Sequence, residues 1–275
     1  MAWITLLTKP AYLAGVRTLR RSLQDSGSRY PLVVMVTDNI APDICRQLEN
    51  EGCLIRPVQP LQPNSQAGQQ YANPRFAEVW TKLCAWSLTE FRRLVFLDAD
   101  MLVLRNMDEL FTQALPLDSI AACHACRCNP YRIPSYPASW VPENCFYTHC
   151  ATATQTQVDA PISRYFNSGF MVLTPDTSLY DALIQQLAGI TDLSEYLFPE
   201  QDLLNQFFAD RWVTLPYTYN ALKTLSVHHT GIWHIDQVKN LHFILEKPWD
   251  IDITAAEYQH DPYLGLYRRW WNARA

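Results

Sequence analysis

The segment Leu94-Val-Phe-Leu-Asp-Ala-Asp-Met-Leu-Val-Leu104 is apolar from end to end except for Asp98 and Asp100. A run of this kind predicts a strand buried on both faces, as in a parallel sheet. Each carboxylate there costs on the order of several kcal/mol unless it is paired, protonated or bound to a cation. Residues two apart on a strand project to the same side, so the two acids are expected to share one ligand. In open α/β sheets, ligands bind beyond the carboxyl ends of the strands. The pair therefore reads as a D-x-D site for a divalent metal, and such a metal would carry a phosphorylated substrate.

Outward from this segment the pattern is an alternation of strands and helices. Residues 2–7 read as a strand, 11–24 as a helix with Tyr12, Val16, Leu19 and Leu23 on one side, and 31–37 as a second buried strand. A helix over 43–51 and a strand over 53–58 follow, then a Pro- and Gln-rich loop over 57–68. Residues 76–89 read as a helix leading into the acidic segment, and 106–115 as a short one after it. Downstream, 166–173 reads as a strand with Gly169 at a point of close backbone approach. Helices over 176–190 and 200–208, a short strand from Val213 and a last strand over 241–245 complete the pattern, followed by an aromatic tail. Such alternation predicts an α/β fold with a mostly parallel sheet and crossover helices. The stretch at about 116–165 is rich in Pro, Cys and aromatic residues, with little periodicity from Cys123 on. It is expected to be an irregular insertion over the active edge of the sheet, within one domain spanning 1–275.

Composition bounds the rest. The chain has 275 residues, 48% of them hydrophobic and 18% charged, with a formal net charge of −5. That supports a packed core and excludes disorder. Lys and Arg are scattered, so a nucleic-acid partner is not expected. No segment reaches the roughly 18 apolar residues of a membrane span. The first apolar run breaks at Thr8-Lys9-Pro10, and no N-x-S/T sequon occurs. The expectation is a cytoplasmic protein whose eight cysteines are mostly reduced.

Several segments, in order, resemble glycosyltransferase family 8, the group that includes glycogenin and galactinol synthase. They are Thr5-Leu6-Leu7-Thr8 with Tyr12; Thr81-Lys82-Leu83; Phe96-Leu97-Asp98-Ala99-Asp100; Asn106-Met107-Asp108-Glu109-Leu110-Phe111; Asn167-Ser168-Gly169; Glu200-Gln201-Asp202-Leu203-Leu204-Asn205; and His242-Phe243 with Lys247-Pro248-Trp249. The resemblance implies a single GT-A (Rossmann-like) domain, a nucleotide-sugar donor, usually a UDP-sugar, Mn²⁺, and retention at the anomeric carbon. It implies metal ligation by Asp98, Asp100 and His242. Leu6, Thr8 and Tyr12 would form the uridine pocket, and Ala99 would lie against the donor. Lys82 and Lys247 would hold the donor, Lys247 at its diphosphate, with Asn167 and Gly169 bordering the sugar. Gln201 would lie near the anomeric carbon and Asp202 would contact the sugar hydroxyls.

The chemistry suits those residue types. A diphosphate leaving group gains negative charge as the glycosidic bond breaks, and a hard cation assisted by a lysine stabilises it. Two carboxylates and one imidazole favour Mn²⁺ over an all-oxygen Mg²⁺ shell. A double displacement needs a carboxylate nucleophile at the sugar. Gln201 is a poor nucleophile, which favours front-face attack and leaves Asp202 and Glu200 as the residual carboxylate candidates.

The acceptor is expected to be a small sugar or polyol, as for galactinol synthase. A glycogenin-like oligosaccharide or protein acceptor is the alternative. The L-P-x-x-Y-N segment, Leu215–Asn220, is followed by no tyrosine through Trp233, and Val227 stands seven residues after Asn220, so self-glucosylation in the glycogenin manner is not expected. A reading from another class is a haloacid-dehalogenase phosphatase, whose D-x-D motif would normally begin the domain. A homodimer is the other partner considered. In the insertion, Cys126, Cys128, Cys145 and Cys150 are the thiols that could build a tetrahedral Zn²⁺ site, against free buried thiols as the default.

Overall fold

The computed structural model describes residues 1–64 and 74–274. Strands β1 (Ala2–Leu7), β2 (Leu32–Val36), β3 (Leu54–Pro57), β4 (Leu94–Leu97), β5 (Met101–Val103), β6 (Ile120–His124), β7 (Phe166–Leu173), β8 (Trp212–Thr214), β9 (Ala221–Leu222) and β10 (Asn240–His242) form two sheets. The larger runs β3-β2-β1-β4-β7-β6-β8 and the smaller β5-β10-β9. Helices are α1 (Leu13–Asp25), α2 (Pro42–Asn50), α3 (Thr177–Ala188), α4 (Pro199–Phe207), α5 (Leu225–His228) and α6 (Leu264–Arg274).

Alternation along each central strand sorts the side chains into two cores. Ala2, Ile4, Val33, Met35 and Phe96 pack on one face against Trp80, Trp86 and the apolar sides of α3 and α4. Trp3, Leu7, Val34 and Val36 pack on the other against Val16, Leu19 and Leu23 of α1 and Leu48 of α2. Burial on both faces is the reason β2 reads as unbroken Leu-Val-Val-Met-Val. A third core lies under the small sheet, where Trp270 and Tyr267 of α6 meet Leu241 and Phe243.

The sheet is mostly parallel, as expected, but β7 runs antiparallel to both β4 and β6. The main correction concerns the acidic segment. Leu94–Leu104 is not one strand: β4 ends at Leu97, residues 98–100 turn, and β5 pairs with β10 in the other sheet. The backbone rungs show the handover, because Asp98 N donates to Gly169 O of β7 and Phe243 N donates to Asp100 O. The turn lets the carboxylates leave the core for the junction of the sheets. They converge there through the turn, not through strand alternation.

Further differences are local. Pro74–Ser87 is a 3₁₀ helix, tighter than the α-helix its apolar spacing suggests, and the turn after β5 is a single 3₁₀ turn, Asp108–Phe111. β6 occupies the start of the stretch expected to be irregular: Ile120-Ala-Ala-Cys-His124 is too short and small-chained to show a period. Irregular backbone begins after His124 and holds only two one-turn 3₁₀ segments before β7. Part of the expected loop over 57–68 lies outside the described residues. None of the helices described is long and apolar enough to cross a membrane.

Candidate active site

The carboxyl ends of β1 and β4, the start of β7 and the start of α4 open into one cleft of about 450 Å³. Every predicted site residue except Asp202 lines it: Leu6, Thr8, Tyr12, Lys82, Asp98, Ala99, Asp100, Asn167, Gly169, Glu200, Gln201, His242 and Lys247. β1 delivers Leu6, and Thr8 follows at its end. Tyr12 stands at the head of α1 with its ring edge-on to Trp249 at 5.3 Å. Gly15 lets α1 press on the acidic turn: a Cβ there would collide with Ala99 O and sit 2.7 Å from the Trp249 ring.

Asp98, Asp100 and His242 bring their ligand atoms within 4.8 Å of one another. His242 Nε2 lies 3.3 Å from Asp100 Oδ1 and 3.8 Å from Asp98 Oδ2. The hydrogen-bond network fixes the imidazole. Gly169 N donates to Asn167 Oδ1 (3.1 Å), so the Asn220 group facing that oxygen at 2.9 Å is its Nδ2 donor. Asn220 Oδ1 then faces His242 Nδ1 at 2.8 Å, and the hydrogen of the ring is on Nδ1. In the neutral ring this leaves the Nε2 lone pair pointing at two carboxylate oxygens. Three electron-rich atoms converging in a nearly buried corner are mutually repulsive without a cation among them. An O, O, N donor set with the far imidazole nitrogen held by an amide is a fit for a divalent ion of the Mn²⁺ kind.

Two lysines frame this group. Lys247 ion-pairs with Asp100 Oδ2. Burial works against both charges, but the Lys247 ammonium wins at Asp100 and holds it well below the usual carboxylate range. Asp100 likewise holds the Lys247 ammonium above its ordinary value. Lys82 is buried between Asp98 Oδ1 (3.1 Å) and Glu200 Oε1 (2.9 Å), and these carboxylates outweigh desolvation and raise it. Gly169 is required by space: a Cβ would lie 2.5 Å from the His242 ring and 2.8 Å from Asp98 Oδ2.

The two carboxylates of α4 are engaged. Glu200 Oε1 also accepts from Ser168 Oγ at 2.9 Å. Asp202 is turned away from the cleft, accepting from Tyr165 Oη (2.5 Å) and from Phe198 N (2.7 Å). Burial raises it to about 6 despite these donors. Gln201 Oε1 accepts from Asn167 Nδ2 (3.0 Å) and Ser168 N (3.1 Å), while Nε2 donates to Tyr165 Oη (3.0 Å). A continuous amide relay thus links His242, Asn220, Asn167 and Gln201.

Sequence reasoning did not single out Asn220, Tyr165 or the cleft's opposite wall, where Tyr131, Tyr136, Trp140 and Phe198 gather. Trp140 stacks on Phe198 at 4.7 Å and Tyr136 meets it edge-on at 5.0 Å. Asn220 had a signal, the end of L-P-x-x-Y-N. The aromatic wall had none beyond composition. The cysteines also need a correction. Cys126, Cys128 and Cys145 cluster with His229, not with Cys150, whose thiol turns to Phe146 O at 3.4 Å. Cys145 and Cys150 flank a 3₁₀ turn that directs their side chains apart, and the fourth position is filled from α5, about a hundred residues from Cys126 and Cys128.

A cleft of this form at the carboxyl ends of a mixed α/β sheet defines a GT-A glycosyltransferase fold. The galactosyltransferase LgtC, solved with donor and acceptor sugar analogues, superposes with a TM-score of 0.63 at 15% identity, covering 100% of this chain and 95% of that one. The glycosyltransferase GlyE of Streptococcus pneumoniae superposes at 0.62 with 16% identity over 99% of this chain, which spans 60% of the GlyE chain. Residues 3–252 match the model of glycosyl transferase family 8, and the chain belongs to that family. In sequence it is similar to galactinol synthase 1 of Solanum lycopersicum, 29% identical over 274 residues, covering 98% of this chain and 80% of that one. The phosphatase alternative is set aside by this match.

Proposed function

We propose that the protein transfers a hexose from a UDP-sugar to a small hydroxyl acceptor, a sugar or polyol, with Mn²⁺ and with retention at the anomeric carbon. The carrying observation is the convergence of Asp98, Asp100 and the His242 Nε2 lone pair beside Lys247. These three side chains would hold the ion, whose charge would offset that developing on the diphosphate.

The chain's own residues do the remainder. Lys247 offers a mobile cation at the same place, released from Asp100 when a phosphate oxygen competes for it. Lys82 neutralises Asp98 and Glu200 and keeps two carboxylates from repelling the donor's phosphates. Leu6, Thr8 and Tyr12 fit a flat base at the end of β1. Asn167 and Gln201 present amide groups to the sugar while locked to each other. Glu200 is ion-paired and Asp202 faces away, so neither stands free as a nucleophile at Gln201, which supports front-face attack. The aromatic wall offers apolar surface to a sugar ring or cyclic polyol, and the likeness to galactinol synthase supports a small acceptor of that kind.

The test is a screen of UDP-sugars for Mn²⁺-dependent UDP release, followed by candidate acceptors added to the best donor. Asp100→Ala and His242→Ala should abolish release with the circular dichroism spectrum unchanged. Turnover equal to wild type in either variant overturns the assignment.

A further inference from the structure

Beside the aromatic wall, three sulfurs surround one imidazole nitrogen. His229 Nε2 lies 3.2 Å from Cys128 Sγ, 3.5 Å from Cys126 Sγ and 3.9 Å from Cys145 Sγ, and the Cys126 and Cys145 sulfurs are 3.9 Å apart. All four ligand atoms fall within 4.8 Å of one another. Hydrogen bonding does not account for this arrangement, since Nε2 has one hydrogen or one lone pair and can serve one sulfur. None of the three cysteines is in a disulfide, although two sulfurs face each other. Cys145 and His229 are buried and the other two half-buried.

A tetrahedral ion with sulfur at about 2.3 Å and nitrogen at about 2.0 Å sets ligand edges of roughly 3.5–3.8 Å. The four separations above, 3.2 to 3.9 Å, scatter around those edges. They suit one ion and leave no room for a cluster of several. Soft sulfur with one imidazole selects zinc over the hard cations suited to the cleft.

We propose that Cys126, Cys128, Cys145 and His229 bind a structural zinc ion that fastens the wall of the cleft to α5. Cys126 and Cys128 follow β6, and Cys145 closes the segment 129–144, which carries Tyr131, Tyr136 and Trp140 into the cleft. That segment has only a single 3₁₀ turn, and two of its residues, Asn129 and Arg132, hold φ of 41° and 50°. Such backbone needs an external fastening. His229 supplies it from the end of α5, five residues after Thr224 on the opposite side of the same cleft. Zinc closes a loop whose ordering neither a helix nor a sheet maintains. The site stands independently of the reaction proposed above.

The experiment measures zinc in the full chain, produced with zinc in the medium and dialysed against EDTA. One zinc per chain is expected, released by a thiol-blocking mercurial into a zinc-binding dye. His229→Ala and Cys145→Ser should lose it, whereas Cys150→Ser and Asp100→Ala should keep it. His229→Cys, a four-sulfur set, should keep it too, which guards against reading a misfolded variant as a lost ligand. In the wild-type protein, stripping zinc should speed tryptic cleavage after the exposed Arg132 by about tenfold or more, and zinc added back should reverse this. A wild-type chain that takes up no stoichiometric zinc, a His229→Ala variant that keeps it, or a Cys150→Ser variant that alone loses it overturns the proposal.

Discussion

Asp98, Asp100 and His242 meet inside the cleft, and Cys126, Cys128, Cys145 and His229 meet at its far wall, with Cys126 in the lining. Each group brings its ligand atoms within the same span, yet the two are built in opposite ways. The first hangs on regular strands: the ends of β4 and β10 and the turn between β4 and β5. It uses hard oxygen and an imidazole fixed by Asn220. The second gathers residues from irregular backbone and the end of a four-residue helix, and of its sulfurs only that of Cys145 belongs to a fully buried residue. A rigid sheet can present ligands that exchange and carry a substrate. A segment without regular hydrogen bonding needs ligands that hold it. On the readings proposed above, three donors on a sheet edge serve reaction and four donors on irregular backbone serve shape.

The largest expected effect removes the first group. On the proposed reading, Asp100→Ala deletes a metal ligand and strands the Lys247 ammonium, and both would remove charge compensation at the leaving group. A loss of several kcal/mol of transition-state stabilisation corresponds to about a thousandfold or more in UDP release. Steady-state kinetics across Mn²⁺ concentrations checks it, and a loss that excess Mn²⁺ fully repairs would show that only affinity had been removed. Asn220→Ala comes next. Asn220 is not among the residues lining the cleft, but its loss frees the His242 ring, so metal affinity should fall about 10- to 100-fold while saturating Mn²⁺ restores most of the rate. Titration of Mn²⁺ against the rate distinguishes the two variants, and indistinguishable curves would break the distinction between ligand and support.

These two groups were not equally legible in the chain. Asp98 and Asp100 announce themselves because acids interrupt an otherwise buried run, and that cost is visible without coordinates. The turn between them was not, since four-residue and three-residue strands flanking a short turn look like one apolar strand until pairing partners are known. Gly169 could be read as a close approach, and the structure shows what approaches: the His242 ring and Asp98. For the cysteines, spacing located the region but not the ligand set. His229 lies in a segment with no local signal, and only tertiary structure brings it beside Cys128. The aromatic wall was invisible for the same reason, as residues 129–144 have no period from which a face can be inferred.

A smaller effect compares the two sides of the cleft directly. His229→Ala should leave donor hydrolysis within about threefold of wild type, because the first group is built without it, and should raise the acceptor KM by about tenfold as the wall loosens. Measuring UDP release with and without acceptor separates these quantities. Equal loss in both would mean that the two regions are one mechanical unit.

The smallest effect sharpens the comparison from within the regular half. Asp202 is raised to about 6 by burial, against an ordinary value near 4. The folded protein therefore binds a proton between those values that the unfolded chain does not. The associated stability is fully present below about pH 4 and is lost as pH rises through about 6. Its neighbours are Tyr165, which donates to it, and Glu200, whose charge also pushes it up. Protonated Asp202 keeps an acceptor for both Tyr165 Oη and Phe198 N, whereas the amide introduced by Asp202→Asn has one acceptor oxygen for two donors. That substitution should thus cost about 1 kcal/mol at pH 5. The deficit should shrink by pH 7.5, where the wild-type carboxylate carries its burial cost. Chemical denaturation of both proteins across that range checks this. A deficit that stays constant with pH would mean that Asp202 is ionised throughout and that its two donors outweigh its burial.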